Sequence, residues 1–282
     1  VSKPRSKYSS TKINWKQTPA AVWRQNKQAL KAVKEIDAIT LQELIGIDRQ
    51  KTELVNNTKN FIAKKPANNA LLWGSRGTGK SSLIKALLNE YRKDGLRLIE
   101  IFKTELHNLP DIVDDIRELP YRFIIYCDDF SFDINDDSYI ALKTVLEGSI
   151  EAAPENVLIY ATSNRRHLVP ETRQDNISSQ MVEGELHYSD AIEEKISLSD
   201  RFGLWLSFYQ PDQDTYLEMV EHYFKGNKKS LLYKDKAEFH RQAIRFATSR
   251  ASRSGRTAKQ FYQYFSAQPG NHPPTKTEKS KK

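Results

Sequence analysis

Gly74-Ser75-Arg76-Gly77-Thr78-Gly79-Lys80-Ser81 decides the fold, because it stands between two periodic segments of different kind. Before it, Ala70-Leu71-Leu72-Trp73 is a short apolar run, the pattern of a strand covered on both faces. After it, Leu83, Ile84, Leu87, Leu88 and Tyr91 recur at helical spacing, and Asp94-Gly95 supplies a stop. A Gly-x-x-x-x-Gly-Lys-Ser loop in that setting suits phosphate. Its glycines let main-chain N–H groups converge on the β- and γ-phosphates, and the following helix points its positive end at them. Lys80 is expected to reach the terminal phosphates, and the Ser81 hydroxyl to ligate Mg²⁺. The predicted nucleotide contacts are Gly74, Ser75, Arg76, Gly77, Thr78, Gly79, Lys80, Ser81 and Ser82.

Working outward, residues 18–40 predict a helix, with Ala21, Val22, Leu30, Val33 and Ile36 as its apolar stripe. An amphipathic stretch runs to Ala63 and is closed by Pro66. Beyond the loop, strands are expected at Leu96–Phe102, Phe123–Cys127, Val157–Thr162 and Leu204–Tyr209. Helices fall between them: one opened by Pro110 and one over 138–150. Such alternation predicts an α/β three-layer sandwich with a parallel five-stranded sheet. Counting from Ala70, the expected strand order is 5-1-4-3-2. From Asp212 every periodic segment is helical, roughly 212–225, 234–249 and 255–266, which predicts a C-terminal lid. The expected layout is a basic tail over 1–17, an α/β nucleotide-binding domain with an N-terminal helix over 18–210, a lid over 211–268 and a second tail over 269–282. There is no internal repeat.

The net charge of +8 resides in the ends of the chain. Lys3, Arg5, Lys7, Lys12 and Lys16 have no acid among them, and Lys276, Lys279, Lys281 and Lys282 face only Glu278. The middle is formally neutral. Basic tails of this kind solubilise a protein or grip nucleic-acid phosphates. No apolar run approaches the ~18–20 residues of a membrane-spanning helix. A single cysteine, Cys127, excludes an internal disulfide and a cysteine-clustered zinc site. With no apolar signal core at its lysine-rich start, the chain is expected to be cytoplasmic.

Phe123-Ile124-Ile125-Tyr126-Cys127 delivers Asp128 and Asp129 to the carboxyl end of a buried strand, where open α/β sheets bind ligands. Asp128 is the expected Mg²⁺ carboxylate. Asp129 would orient or deprotonate the attacking water, or else cap the next turn. The acids at Asp133, Asp136 and Asp137 do not make a calcium loop, because Ser138 and Thr144 stand where its glycine and glutamate belong. Helix capping suits Asp136 or Asp137 better. Cys127 reads as a small apolar residue of the strand.

Three further stretches resemble signatures of the AAA+ ATPases, in that superfamily's order. Val157-Leu158-Ile159-Tyr160-Ala161-Thr162-Ser163-Asn164-Arg165 is similar to the strand of the first sensor. The resemblance implies that Asn164 contacts the γ-phosphate or the water. Ser199-Asp200-Arg201-Phe202-Gly203 is similar to the arginine-finger box, in a form close to that of the bacterial branch-migration motor. It implies that Arg201 reaches a neighbouring subunit's ATP. Ser254-Gly255-Arg256-Thr257-Ala258 resembles the second sensor, which implies that Arg256 reports on the nucleotide from the lid. Leu44-Ile45-Gly46-Ile47 resembles the segment lining the adenine pocket; Ile45, Gly46 and Ile47 suit a purine face, or equally core packing.

The fuller likeness, over residues 40–266, is to an uncharacterised bacterial AAA+ family catalogued as a domain of unknown function. It rests on Leu71-Leu72-Trp73-Gly74, on Ile159 through Leu168, and on Glu194 through Gly203. Membership implies ATP and Mg²⁺ as ligands and a ring, a hexamer at family level. The expected function is ATP hydrolysis that remodels an unidentified protein or nucleoprotein client. A rival is a nucleic-acid loader or initiator-like switch, since the Asp128-Asp129 pair is similar to that of replication initiators and helicase loaders. A small-molecule kinase is a third, disfavoured by the helical bundle that follows the finger box. The acidic stretch 166–197 argues against DNA contact there and suits a solvated loop or a partner-binding insertion. Phe261-Tyr262-Gln263-Tyr264-Phe265 reads as lid core.

Overall fold

A computed structural model describes residues 13–130, 139–147, 153–164, 201–225 and 235–267. The two tails (apart from residues 13–17), the acids at 133–137, the 166–197 stretch, and Ser199 and Asp200 lie outside the described residues. The chain folds into two compact units. One gathers residues 1–41, 49–74 and 81–207, and the other 42–48, 75–80 and 208–282.

The first unit is built on a sheet. Its strands are β1 (Ala20–Arg24), β2 (Ala29–Ala32), β3 (Ala70–Gly74), β4 (Leu96–Ile101), β5 (Arg122–Cys127), β6 (Val157–Ser163) and β7 (Leu204–Phe208). The order is β2-β1-β4-β5-β6-β3-β7. Strands β1, β4, β5, β6 and β3 pair in parallel, and β2 pairs antiparallel with β1. The expected five-stranded sheet is thus corrected to seven. The order differs because β1 and β2 extend the sheet beyond β4, while the five expected strands occupy the consecutive run β7-β3-β6-β5-β4.

Those two added strands replace the helix expected over 18–40. The three-residue spacing of Leu30, Val33 and Ile36 imitates a helical stripe, but the residues that matter are contiguous. Ala20, Ala21, Val22 and Trp23 are all buried, as a strand between two others requires. Gln28, at φ 42°, makes the left-handed turn between β1 and β2. Residues 13–17 also leave the expected tail. Trp15 is buried and meets Phe123 edge-on at 4.9 Å. Buried Arg97 fixes this segment by donating to the Trp15 and Arg92 carbonyls at 2.7 and 2.9 Å.

Strand alternation sorts the sheet's side chains to two faces. Ala21, Ile99, Ile101, Phe123, Ile125, Cys127 and Ile159 share one core with α3 (Leu109–Ile116) and α4 (Tyr139–Glu147). On the other face, fully buried Tyr160 meets α1 (Asp48–Ile62). Its hydroxyl accepts from Asn57 Nδ2 at 3.0 Å. It lies 2.9 Å from Thr58 Oγ1, whose own proton goes to the Leu54 carbonyl. Asn57 in turn exchanges two bonds with the Asn68 backbone, just before β3. Tyr160→Phe removes the hydroxyl but leaves Asn57 and Thr58 their backbone partners. A loss of about 1–2 kcal/mol is therefore expected in urea unfolding.

The second unit is helical: α5 (Gln213–Phe224), α6 (Lys236–Ser249) and α7 (Gly255–Ser266). All three match the expected lid helices closely. Asp212, Asp235 and Ser254 cap their N-termini through side-chain oxygens. Phe224, Phe239, Phe261 and Phe265 are buried together, with Phe224 edge-on to Phe239 at 4.9 Å. Two of the aromatics at 261–265, Phe261 and Phe265, thus lie in the core of the helical unit, whereas Tyr264 is 58% exposed.

Candidate functional site

The described site residues fall into two groups, one in each unit. In the helical unit, residues 75–80 fold around their own carbonyls. Lys80 is buried, and its Nζ donates to Ser75 O at 2.7 Å. Thr78 Oγ1 donates to the same oxygen at 2.8 Å. Ser75 N donates to Phe208 O at 2.9 Å, and Arg76 is exposed.

Glycine is required at 77 on two grounds. Its φ is +77°, and a Cβ there would stand 2.9 Å from Ser254 Oγ and 3.3 Å from Arg256 Cβ. The Arg256 amide lies 3.4 Å from Gly77 O, while the Arg256 side chain is exposed. The expected second-sensor residue therefore begins its helix against the loop. Gly79 has Ile47 Cδ1 3.5 Å from where its Cβ would be, and Ile47 is buried. Ile45 packs on the core of the helical unit, and Gly46, at φ +75°, lies against the Thr215 methyl. The 45–47 segment thus does pack, and loop 75–80 is one of its neighbours.

The sheet unit holds the acids. Cys127 pairs in register with Ala161, so Asp128 leaves β5 beside Thr162. Thr162 Oγ1 donates to Asp128 Oδ1 at 2.5 Å and accepts from Asp129 N at 3.2 Å. Ser81 Oγ donates to the same Asp128 oxygen at 3.0 Å. Asn164 Nδ2 donates to Asp129 Oδ1 at 2.6 Å. Asp129 has φ +53°, a left-handed conformation uncommon for a side-chain-bearing residue. That turn separates the two carboxylates, so that each takes its own donors.

Burial alone would raise the Asp128 pKa. Hydrogen bonds from Thr162 and Ser81, with the Tyr126 hydroxyl nearby, outweigh it and hold the carboxyl below its usual range. Asp128 is therefore an ionised carboxylate at neutral pH. The adjacent Cys127 thiol is buried and its pKa is pushed up, which agrees with a packing role.

Among the described residues no cluster of three His, Cys, Asp or Glu could hold a metal alone. A hydroxyl and an ionised carboxylate on one side suit a hard cation that takes its other oxygens from phosphate and water, as Mg²⁺ does. Arg201 is exposed in the turn before β7, while Phe202 beside it is buried with its ring 6.2 Å from that of Phe130.

A family model described as "Protein of unknown function (DUF815)" matches residues 16–269. The chain belongs to the DUF815 family. No curated protein matches it. Solved structures similar to this DUF815 chain include RuvB of Thermotoga maritima. An arginine-to-alanine variant of RuvB is 11% identical at a TM-score of 0.45, covering 83% of this chain and 74% of that one. A threonine-to-valine variant is 12% identical at 0.45, covering 86% and 76%. The RuvB Holliday junction branch migration motor is 10% identical at 0.42, also covering 86% and 76%. No helix among the described residues is long and apolar enough to cross a membrane.

Two residues of the DUF815 site escape a sequence reading. Thr162 bridges both acids, yet a threonine ending a buried strand is ordinary until β5 and β6 are known to be neighbours. Ser254 is legible as a helix cap, but its closeness to Gly77 depends on tertiary packing.

Proposed function

We propose that this DUF815 chain is an AAA+ ATPase that hydrolyses Mg·ATP to ADP and phosphate, and that turnover remodels a protein or nucleoprotein client. The observation that carries the reading is the paired acid arrangement. Asp128 is bonded to Ser81, the residue after Lys80, and Asp129 is bonded to Asn164. A passive nucleotide binder needs the first pair only. The second suits a carboxylate held ready for water.

In this reading, Lys80 exchanges the Ser75 carbonyl for the β- and γ-phosphate oxygens, and the amides of 75–80 receive the rest of the charge. Ser81 and Asp128 hold Mg²⁺, which when bound offsets negative charge on those phosphates. Asp129, fixed by Asn164, orients a water molecule and takes its proton. The water oxygen bonds to the γ-phosphorus as the bond to the β-bridging oxygen breaks, leaving ADP and inorganic phosphate. Arg256 contacts the same nucleotide from its helix start. Arg201 of a second copy neutralises charge in the transition state, which requires a dimer or ring and, by likeness, a hexamer. Ile45, Gly46 and Ile47 line the adenine. A reducing, cytoplasmic setting suits the single buried cysteine.

Equilibrium binding of labelled ATP to the full chain tests this. Saturable binding is expected with Mg²⁺, at least ~10-fold weaker when EDTA removes it, since a desolvated charge–charge contact is lost. Phosphate release should proceed without any added acceptor, which separates an ATPase from a kinase. Absence of ATP uptake at millimolar concentration would refute the reading.

A further inference from the structure

The helices of the sheet unit mix the two signs of charge. In α1, Asp48 and Glu53 stand among Arg49, Lys51 and Lys59, and in α2 (Lys80–Tyr91) Glu90 stands with Lys80 and Lys85. The helical unit separates the signs instead. Helix α5 carries Asp214, Glu218 and Glu221 and no lysine or arginine. Beyond Glu238 the balance reverses: from Phe239 to Lys282, ten lysines and arginines stand against a single acid, Glu278. Six of the ten lie in α6, α7 and the turn between them: Arg241, Arg245, Arg250, Arg253, Arg256 and Lys259.

Two of these cations already have work to do. Arg241 pairs with Glu238 at 2.8 Å, and Arg256 begins α7 against the phosphate loop. Arg245, Arg250, Arg253 and Lys259 are exposed and make no ion pair with a described residue; Glu238 and Asp212 act on Arg245 and Arg253 only at longer range. Like charges gathered without partners repel one another, and a polyanion relieves that repulsion.

An aromatic pair lies among them. Phe246 packs on the core of the helical unit, its ring 5.5 Å from that of Phe261. The Arg250 guanidinium covers the Phe246 ring at 4.5 Å, and the Tyr264 ring lies 5.6 Å from it, tilted by 32°. Tyr264 stays exposed although most of its ring is apolar. A cation, an anchored ring and an open ring are thus neighbours across α6 and α7.

We infer that this face of α6 and α7 binds single-stranded nucleic acid, its phosphates on the unpaired cations and a base stacked on Tyr264. Successive phosphates need a field of one sign, and an unpaired base needs a flat apolar partner. An acidic peptide would satisfy the charges but offers the open ring no π face. A duplex keeps its bases stacked on one another and leaves Tyr264 bare. Such a strand would be the client in the ATPase reading above, but the face itself does not depend on ATP.

The test titrates the full chain, without ATP, into a fluorescein-labelled oligothymidylate of about 20 nucleotides, so its failure and a failure of ATP binding are separate results. Saturable binding is expected, with a slope of log affinity on log salt near −2, about three phosphates at roughly −0.7 each. Arg250→Gln should make that slope shallower by ~0.7. Tyr264→Ser should weaken binding at least ~5-fold, the scale of one lost stack, with thermal unfolding as the check on folding. Tyr264→Phe keeps the ring and should bind within ~2-fold of the unaltered chain. A chain carrying Lys276→Gln, Lys279→Gln, Lys281→Gln and Lys282→Gln should still bind, which separates the helices from the basic tail. No saturable binding, equal affinity for a duplex, displacement by oligoglutamate of the same length, indifference to Tyr264→Ser, or loss of binding in the tail variant would each overturn the assignment.

Discussion

Lys80→Ala is expected to yield a folded chain that binds Mg·ATP roughly 10–100-fold more weakly and hydrolyses it ~10²–10³-fold more slowly. The first figure follows from losing charge-assisted contacts of ~1.5–3 kcal/mol. The second follows from removing a preorganised donor where charge develops. The variant should fold because the amine donates to a carbonyl of its own loop, Ser75 O, and Thr78 Oγ1 keeps that oxygen satisfied. Circular dichroism and thermal unfolding check the fold, and labelled-nucleotide binding with phosphate release checks the rest. A variant with unchanged binding would show that the loop does not hold the triphosphate.

Asp129→Asn is the second large effect, and it should separate binding from chemistry. The substitution keeps the side chain's shape and an oxygen for Asn164 Nδ2, now 2.6 Å away, but removes the base. ATP affinity should stay within ~3-fold while turnover falls ~10²–10⁴-fold, the range for losing a positioned general base. The same chain serves in a mixing experiment with Arg201→Ala. Each alone should be nearly inactive, whereas the mixture should recover part of the activity, because one interface then pairs an intact acid site with an intact arginine. No recovery, with both single variants active, would remove the shared-interface mechanism.

The parts of the fold visible in the sequence are those whose chemistry tolerates few alternatives. Phosphate binding demands glycines at fixed places, so residues 74–81 announce a strand before them and a helix after. Caps at Asp212, Asp235 and Ser254 punctuate the last three helices with equal clarity. The N-terminal hairpin is hidden for a physical reason. Its strands are five and four residues long, and β1 is buried through four consecutive positions, so it lacks the alternation that marks a half-exposed strand. At the site, Asp128, Asp129 and Asn164 stand out because they follow apolar runs. Thr162 and Tyr126 do not, because each belongs to such a run, and only the register of β4, β5 and β6 gives them neighbours.

The approach of Gly77 to Ser254 has a mechanical consequence. Loop 75–80 and the start of α7 lie in one compact unit, with contact distances that leave no slack for even a methyl group between them. If the loop takes a triphosphate as proposed, any displacement of Gly77 must also move Ser254 and Arg256 at the start of α7, whose buried aromatics share one core with α5 and α6.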